Sequence, residues 1–235
     1  VGWTGRLLFV GVLGGMQGAI GWWMVASGLS GEMLDVASYR LAAHLGIAFV
    51  ILGFLTWFIL LLGRTENDLL LQRRAREERL FSISTGLLHL AFLQILFGAL
   101  VAGIDAGRNY TDWPLMAGGF FPPEPFSTIP LWRNFFEDDG LVQFMHRIAG
   151  YVLLVFGIWV WRKSKSSGND KLKFAFNAVM AAMAFQVILG VMTVLHAAPW
   201  NLAILHQLGA VLLWVLILRA RFLSGYPPQQ QLTRE

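Results

Sequence analysis

The sequence predicts an all-α, polytopic membrane protein, a helix bundle with six transmembrane helices. First, 56% of the 235 residues are hydrophobic and only 14% are charged, whereas soluble domains contain about 25% charged residues. Second, six windows of about 20 residues are almost free of charge, and each is long enough to cross a ~30 Å hydrocarbon core. Third, Arg147 is the only charged residue that lies well inside a window. These observations exclude a disordered chain, a coiled coil and a soluble enzyme.

The windows define six spans, numbered in chain order. A short loop around Glu32 and Asp35 joins spans one and two, and a long loop (105–140) joins spans three and four. The tight turn 196–200 joins spans five and six. The six spans cover residues 6–27, 39–62, 83–104, 142–161, 174–195 and 202–219.

Positive charge is sorted between alternate loops. The side that carries both termini has 14 basic and 6 acidic residues, whereas the other side has Arg40, Arg108 and Arg133 against 8 acidic residues. The positive-inside rule therefore predicts that both termini lie in the cytoplasm or matrix. We interpret the basic run 73–79 as part of this topology pattern, with an anionic-lipid or nucleic-acid site as the alternative. Because the net charge of +4 is explained in this way, we expect no nucleic-acid partner.

A weak internal repeat divides the spans into hairpins. Each odd-numbered span contains Gln-x-x-x-Gly, and each even-numbered span carries a histidine near its outer end. Because membrane folds often pair halves of equal size, we expect a fourth hairpin upstream of Val1. The motifs are Gln17–Gly21, Gln94–Gly98 and Gln186–Gly190, and the histidines are His44, His146 and His206.

The Gln-x-x-x-Gly motif has two interpretations. Glutamine and glycine four residues apart share a helix face, so the glycine admits a helix or a flat ligand while the glutamine offers a hydrogen bond. The alternative is helix packing alone, which the small-residue motif Gly14-x-x-x-Gly18 also favours.

The histidines are candidate ligands of haem iron, because a bis-histidine site needs two imidazoles that face each other. His146 and His206 lie on the two even spans of one four-helix set and form the candidate pair, with a structural or proton-relay pair as the alternative. We interpret His44 as half of a second pair whose other member lies upstream. A bare metal site is disfavoured, because no carboxylate lies inside a span to complete its ligand set.

Three further residues in or beside the spans need a partner or a role. Arg147 follows His146 directly, and a haem propionate is its natural counter-charge, with snorkelling to lipid phosphate as the alternative. His89 lies at a different depth and is predicted to be structural. His196, at the outer turn, is predicted to have an interfacial structural role rather than a ligand role.

No cysteine is present, which excludes disulfides and thiolate sites.

The long loop 105–140 contains five prolines and eight aromatic residues, and disordered linkers are poor in aromatic residues. We expect its segments 105–116 and 130–136 to lie at the membrane surface. The loop is a candidate lid over a cofactor edge, and an interfacial loop without a ligand is the alternative.

Five segments together resemble haem A synthase, in the branch of that family that lacks loop cysteines and occurs in mitochondria and many bacteria. The resemblance covers nearly the whole chain, and the stretch from Asp105 to Met116 is fairly specific. The five segments are 14–29, 40–45, 102–116, 143–147 and 205–207.

The resemblance implies eight spans in two pseudo-symmetric four-helix halves, each with a histidine pair. It implies a haem b held by His146 and His206, with Arg147 beside it, and the substrate haem O on His44. The implied reaction oxidises the C8 methyl of haem O to a formyl group, which gives haem A for cytochrome c oxidase. The implied partners are haem O, haem O synthase, cytochrome c oxidase assembly factors and membrane lipid in a bacterial or mitochondrial inner membrane, and a homo-oligomer is left open.

The chain departs from the family's pattern at its start. The family's first two spans, which carry the second histidine of the substrate half and a glutamate proposed to act in catalysis, have no counterpart here. We therefore expect a fragment whose isolated activity is doubtful. The implied domains are 1–62 (remainder of the substrate half), 63–82 (basic linker), 83–222 (complete haem b half) and 223–235 (cytoplasmic tail).

Two other functions fit the same residues. A membrane cytochrome b would use the bis-histidine site for electron transfer only. A haem-handling transporter or chaperone would fit the hairpin repeat, but it would retain no tightly bound haem and would usually carry an ionisable residue at mid-membrane depth.

Overall fold

The structure is a computed structural model that describes residues 2–28 and 36–228. Within these ranges the regular elements are eight α-helices and two short 3₁₀ turns, Ala106–Arg108 and Leu131–Arg133. The loop around Glu32 and Asp35 and the tail from residue 229 lie outside the described residues. The helices are α1 (Trp3–Gly28), α2 (Ser38–Leu62), α3 (Glu66–Arg74), α4 (Glu78–Gly103), α5 (Asn134–Glu137), α6 (Asp139–Ser164), α7 (Asp170–Leu195) and α8 (Trp200–Gly225).

Six of these helices are long and apolar enough to cross a membrane, namely α1, α2, α4, α6, α7 and α8. They coincide with the six predicted spans, so the all-α membrane fold is confirmed and the chain is an integral membrane protein. The helices extend beyond several predicted windows, and α8 continues through Arg219 and Arg221. A helix that leaves the hydrocarbon keeps its backbone hydrogen bonds, so a change in side-chain polarity does not end it.

The spans run alternately between two ends of the bundle. The "basic end" is where α1 begins, α8 ends and the arginine-rich segment 64–79 lies, and the "loop end" carries the loop 104–138.

Helix α3 lies within the segment 63–82, which the sequence predicts to be a linker, and it begins with a reciprocal cap. Thr65 Oγ1 accepts from the Asp68 backbone N–H at 3.1 Å, and the Asp68 carboxylate accepts from the Thr65 N–H at 3.3 Å.

The helix α4 is the central element, because it packs on α2, α6 and α8. In the set α4, α6, α7 and α8, helix α7 also packs on both α6 and α8, so α6 and α8 face each other across a four-helix ring. Buried residues from these helices, among them Leu87, Val160, Met183 and Ile217, form one continuous apolar core. Phe49 of α2 joins the same core by an edge-on contact with Trp214.

Helix α1 packs on α2 and has no buried residue. A side-chain carbon added at Gly11, Gly14, Gly15 or Gly18 would meet no atom within 4 Å among the described residues. The close packing expected of Gly14-x-x-x-Gly18 therefore has no partner in the described part of the chain. Gly21, by contrast, lies close to a described neighbour, because a β-carbon added there would lie 2.8 Å from His44 Cε1.

The contact between α4 and α2 at the loop end depends on the absence of a side chain at Gly103. A β-carbon at this position would lie 2.8 Å from Ser38 Cα and 2.9 Å from Ser38 Cβ. Both are atoms fixed by the α2 backbone, so the two helices would have to separate. Ser38 also donates its hydroxyl to the Phe136 carbonyl at 2.7 Å, which ties α5 to the same contact.

We predict that Gly103→Ala lowers the stability of the folded protein by about 1–3 kcal/mol, the usual cost of overpacking a close contact. The matched control is Gly11→Ala, which adds the same methyl group to a helix where space is open. That variant should be neutral or up to about 1 kcal/mol more stable, because alanine favours helix. Thermal unfolding of both variants in one detergent measures the difference, and equal melting temperatures would contradict the prediction.

Candidate functional site

Three histidines lie at one depth below the loop end. His44, His146 and His206 each follow the first residue of their helix by six or seven residues. At 1.5 Å per residue this places each Cα about 9–10.5 Å along its helix. The repeat seen in the sequence is therefore also a repeat in space.

Each histidine ring packs against the glycine of the preceding span's Gln-x-x-x-Gly motif. A β-carbon at Gly21 would lie 2.8 Å from His44 Cε1, and one at Gly98 would lie 3.1 Å from His146 Cε1. A β-carbon at Gly190 would lie 3.1 Å from His206 Cε1. The three glycines make room for three imidazoles, so the motif is more than a general helix-packing pattern.

The glutamines of the motif approach the same rings. Gln17 Nε2 lies 3.2 Å from His44 Nε2, and Gln94 Nε2 lies 3.2 Å from both ring nitrogens of His146. The third copy differs, because Gln186 packs on the backbone of α8. A β-carbon at Gly209 would overlap the Gln186 amide at 1.8 Å, so this glycine is needed for the amide to fit.

His146 and His206 face each other across the ring formed by α4, α6, α7 and α8. Their ring centroids are 6.4 Å apart and their planes are inclined at 80°. Two imidazoles on one metal atom have centroids roughly 6–6.5 Å apart, because each metal–nitrogen bond is about 2 Å long and the ring radius is about 1.2 Å. The spacing therefore fits a single iron between the rings. A porphyrin supplies the other four ligands of its iron, so two imidazoles suffice.

Unpaired polar atoms are concentrated around these histidines. Nine buried side-chain nitrogen or oxygen atoms have no hydrogen-bond partner among the described residues, and five of them belong to the Gln–His motif. Buried polar groups normally have a partner, so such a concentration is typical of a site that binds a further group. The five atoms are Gln17 Oε1, His44 Nδ1, Gln94 Oε1, Gln186 Nε2 and His206 Nδ1.

Arg147, one residue beyond His146, is held by the long loop. Its Nη1 donates to the Leu115 carbonyl at 2.9 Å, and its Nη2 donates to the Tyr110 carbonyl at 3.0 Å and to Gln143 Oε1 at 2.7 Å. Loop carbonyls thus solvate the guanidinium next to the histidine pair. The roles predicted for it, binding a propionate or a lipid phosphate, stay predictions.

Gln143 positions Arg147 and the long loop, a role that the sequence analysis did not identify. Its buried side chain donates to the Ala106 carbonyl at 2.9 Å and accepts from Arg147, so it joins the loop to α6 one turn before His146. Gln143 lies in segment 143–147, one of the five that carry the family resemblance. The sequence indicates its hydrogen bond with Arg147 only through the i, i+4 spacing of the two residues.

Two ionisable side chains of the loop, Tyr110 and Asp112, have shifted pKa values. Burial, followed by the carboxylates of Asp138 and Asp139, raises the pKa of Tyr110. Desolvation acts to raise the pKa of Asp112, but the backbone N–H groups of Gly118 and Ala117 outweigh it and the net pKa is lowered. Those N–H groups donate to the Asp112 carboxylate at 3.2 Å and 3.1 Å. The ionised Asp112 carboxylate is therefore favoured by the turn that donates these two hydrogen bonds to it.

His89 and His196 lie away from the histidine pair. The side chain of His89 is exposed on α4, eleven residues after the helix begins. His196 is exposed at the turn between α7 and α8, where its Nδ1 lies 2.8 Å from the Met192 carbonyl oxygen. The structural roles predicted for both residues stay predictions.

Comparison with known proteins gives a consistent result. A family model described as "Cytochrome oxidase assembly protein" (COX15-CtaA) matches residues 1–218. The chain is 66% identical over 228 residues to a protein named Heme A synthase from Ruegeria sp., covering 96% of this chain and 60% of that protein. The proteins of the same name from Ruegeria pomeroyi and Paracoccus denitrificans are 66% and 59% identical and are covered to 60% and 59%. The chain thus spans about three fifths of these relatives' length.

We predict that the turn at 112–118 loses its order in acid. Because the folded-state pKa of Asp112 is lowered, its contribution to stability is present above the ordinary carboxyl pKa of about 4 and is lost as the pH falls through the lowered value. Protection of the Ala117 and Gly118 amides, measured by hydrogen exchange and corrected for intrinsic rates, should be constant above pH of about 5 and fall below pH of about 4. Asp112→Asn should show lower protection without this pH dependence.

The control for that measurement is Glu124→Gln, which removes a loop carboxylate that accepts from neither amide. It should retain the acid transition. Unchanged protection in the Asp112→Asn protein would contradict the assignment.

Proposed function

This chain belongs to the COX15-CtaA family of cytochrome oxidase assembly proteins, and from that premise we propose that it is part of a haem A synthase. The proposed reaction is the oxidation of the C8 methyl of haem O to a formyl group in two successive steps, which yields haem A for cytochrome c oxidase. The names of the most similar relatives support the activity. The observation on which the proposal depends most is the 6.4 Å spacing between the rings of His146 and His206.

We propose that His146 and His206 hold a resident haem b, which would supply one-electron transfer when bound. Each residue of the site has a distinct task. The two imidazoles would hold the haem iron, and Gly98 and Gly190 leave the space in which the rings are oriented. Apolar residues below the site, among them Leu87, exclude water from the centre of the bundle.

Gln94 is proposed as a positioning residue for His146. An imidazole that uses one ring nitrogen for a metal normally has its other nitrogen hydrogen-bonded by an outer partner, which fixes the ring orientation and raises ligand basicity. The Gln94 amide lies within 3.2 Å of both ring nitrogens, and its Oε1 is buried without a partner. The ring nitrogen that does not bind the metal carries the proton, so Gln94 would accept a hydrogen bond from it through Oε1, with the amide turned to present that oxygen rather than Nε2 to the ring.

His44 is proposed as a ligand of the substrate haem O. Its environment repeats that of His146, with Gln17 as hydrogen-bond partner and Gly21 as the space for the ring. The repetition supports binding of a second iron porphyrin at the same depth, on α2 rather than on α6.

Arg147 and the loop that it holds are proposed to cover the haem b site. The guanidinium links α6 to the carbonyls of Tyr110 and Leu115, and Phe144 contacts Phe121 with ring centroids 4.8 Å apart. These contacts attach the loop to the helix that carries His146. A haem propionate that approached Arg147 would find a guanidinium whose orientation is already fixed.

The distribution of basic residues supports a location in a bacterial or mitochondrial inner membrane with the basic end in the cytoplasm or matrix. On this orientation the histidines lie in the half of the membrane away from the cytoplasm. Haem O synthase, which would deliver the substrate, and cytochrome c oxidase assembly factors, which would receive haem A, are proposed partners.

A membrane cytochrome b that only transfers electrons is the second candidate, because it needs the same facing histidines. It does not explain a third copy of the Gln–Gly–His arrangement at His44. Pigment extraction separates the two functions, since cells with a haem A synthase convert haem O to haem A and cells with only an electron carrier do not.

We predict that His146→Ala or His206→Ala abolishes the low-spin b-type spectrum of the protein purified after expression of its complete gene. Loss of one axial imidazole leaves the iron without its sixth ligand, so the remaining haem should be high-spin or lost. Reduced-minus-oxidised spectra and haem content per protein measure this. His89→Ala is the matched control and should keep the wild-type spectrum, whereas an unchanged spectrum in both site variants would refute the ligand assignment.

We also predict that Gln94→Leu retains haem b but binds it roughly tenfold more weakly, at the low end of the range for outer partners of metal ligands. The midpoint potential should rise, because an imidazole without its acceptor donates less charge to oxidised iron. Redox titration and haem-loss kinetics provide the measurements. Gln17→Leu removes the equivalent amide beside His44 and should leave the haem b potential unchanged; equal shifts in both variants would contradict a specific role of Gln94.

A further inference from the structure

At the basic end of the bundle, α2, α4 and α8 meet around two arginines stacked on aromatic rings. The guanidinium carbon of Arg221 lies 4.1 Å from the centroid of Phe81 and 5.1 Å from that of Trp57. The guanidinium carbon of Arg76 lies 4.0 Å from the centroid of the same Phe81 ring. We call Trp57, Arg76, Phe81, Thr85 and Arg221 the arginine–aromatic junction.

Arg221 has no carboxylate partner among the described residues. Its Nε donates to Thr85 Oγ1 at 2.9 Å, and the Thr85 hydroxyl donates in turn to the Phe81 carbonyl at 2.9 Å. None of the four ion pairs within residues 2–28 and 36–228 includes Arg221. The side chain is half-buried within the last turns of a membrane-spanning helix, where an arginine without a counter-charge is costly.

Arg76 is only partly compensated. Its Nη2 lies 3.3 Å from Glu78, whose side chain is 79% exposed, and its Nε is buried without a hydrogen-bond partner. The neighbouring acid, Glu77, accepts a hydrogen bond from the Ser167 hydroxyl at 2.5 Å. The junction therefore contains two guanidinium groups over one ring, with one solvent-exposed carboxylate to balance them.

An anion that contacted both arginines would relieve their repulsion and could accept a hydrogen bond from Arg76 Nε, which is buried without a partner. The planar fork of a guanidinium matches the oxygens of a phosphate, and stacking on an aromatic ring holds that fork in a fixed orientation. Basic pockets between membrane helices are known to bind phospholipid head groups. The chemistry of the junction is thus that of a phosphate site.

Exposed apolar residues at the same end of the bundle favour a lipid over a free phosphate ion. Leu62 at the end of α2 and Leu70 and Leu71 on α3 are exposed at 64%, 66% and 42%. Helix α3 is joined to this end of the bundle, because Gln72 accepts a hydrogen bond from Arg64 and the Arg64 guanidinium lies 5.8 Å from the Phe222 ring centroid. An apolar surface next to a phosphate site suits acyl chains.

We propose that Arg221 and Arg76 bind the phosphate of an anionic phospholipid headgroup where α2, α4 and α8 meet. The site lies at the opposite end of the bundle from the histidines, so it does not depend on haem binding. Bound lipid would join Arg221 of α8 to Arg76, which lies two residues before α4, while α2 takes part only through the stacking of Trp57 on Arg221.

The test measures lipid selectivity of the purified protein in phosphatidylcholine vesicles that contain spin-labelled phosphatidylglycerol. The motionally restricted fraction, compared with that of spin-labelled phosphatidylcholine, gives a relative association constant. Arg221→Gln should lower the preference for phosphatidylglycerol about tenfold, which is more than the roughly fivefold limit for one basic residue that acts only through the surface charge, because a fixed hydrogen-bonding fork is lost together with the charge. Arg221→Lys should have an intermediate preference, because it keeps the charge but loses the planar fork.

The matched control is Arg79→Gln, which removes the same charge from an exposed position at the same end of the bundle. It should change selectivity little, and added salt should abolish what change there is. Arg76→Gln provides a second test of the junction, and circular dichroism checks that each variant is folded.

Two outcomes would overturn the proposal. Equal loss of selectivity in Arg221→Gln and Arg79→Gln would mean that lipid responds only to the diffuse positive charge of the basic end. Displacement of the spin-labelled lipid from the wild-type protein by inorganic phosphate, at an ionic strength matched with chloride, would mean that the site binds the free ion.

Discussion

The structure depends on the contact between an imidazole ring and a helix backbone that carries no side chain. An unpaired polar group in the hydrocarbon region costs several kcal/mol, so a histidine there needs both space and a hydrogen-bonding neighbour. Gly98 provides the space for His146, and Gln94 provides the neighbour from the same helix face one turn away. This contact fixes the register of α4 against α6, and the same contact recurs between α1 and α2.

The third copy of the contact shows how the repeat is adapted. Gly190 accommodates His206 as in the other hairpins, but the Gln186 amide lies against the backbone at Gly209. Because α8 lies opposite α6 in the bundle, the ring centroid of His206 lies 6.4 Å from that of His146. The same module packs one histidine within each hairpin, and it brings two histidine rings together where two hairpins face each other.

The two ends of the bundle treat buried positive charge differently. At the loop end, Arg147 is surrounded by carbonyl oxygens of the loop, so its charge is solvated by backbone dipoles. At the basic end, Arg221 meets one hydroxyl and two aromatic faces, which leave part of its hydrogen-bonding capacity free. The first arrangement holds the Arg147 guanidinium in place one residue beyond His146, and the second is the surface that we propose receives an anion.

The sequence by itself determined the six spans, the common depth of His44, His146 and His206, and their association with Gln-x-x-x-Gly. Hydrophobic length and spacing along a helix are local properties, and both survive folding unchanged. Only the tertiary structure decided that α6 and α8 are opposed, that Arg147 is held by Leu115 and Tyr110, and that Gly14 and Gly18 contact no described neighbour. These features depend on which helix faces meet, and several combinations of faces satisfy the same apolar pattern, because lipid and protein interior are almost equally apolar.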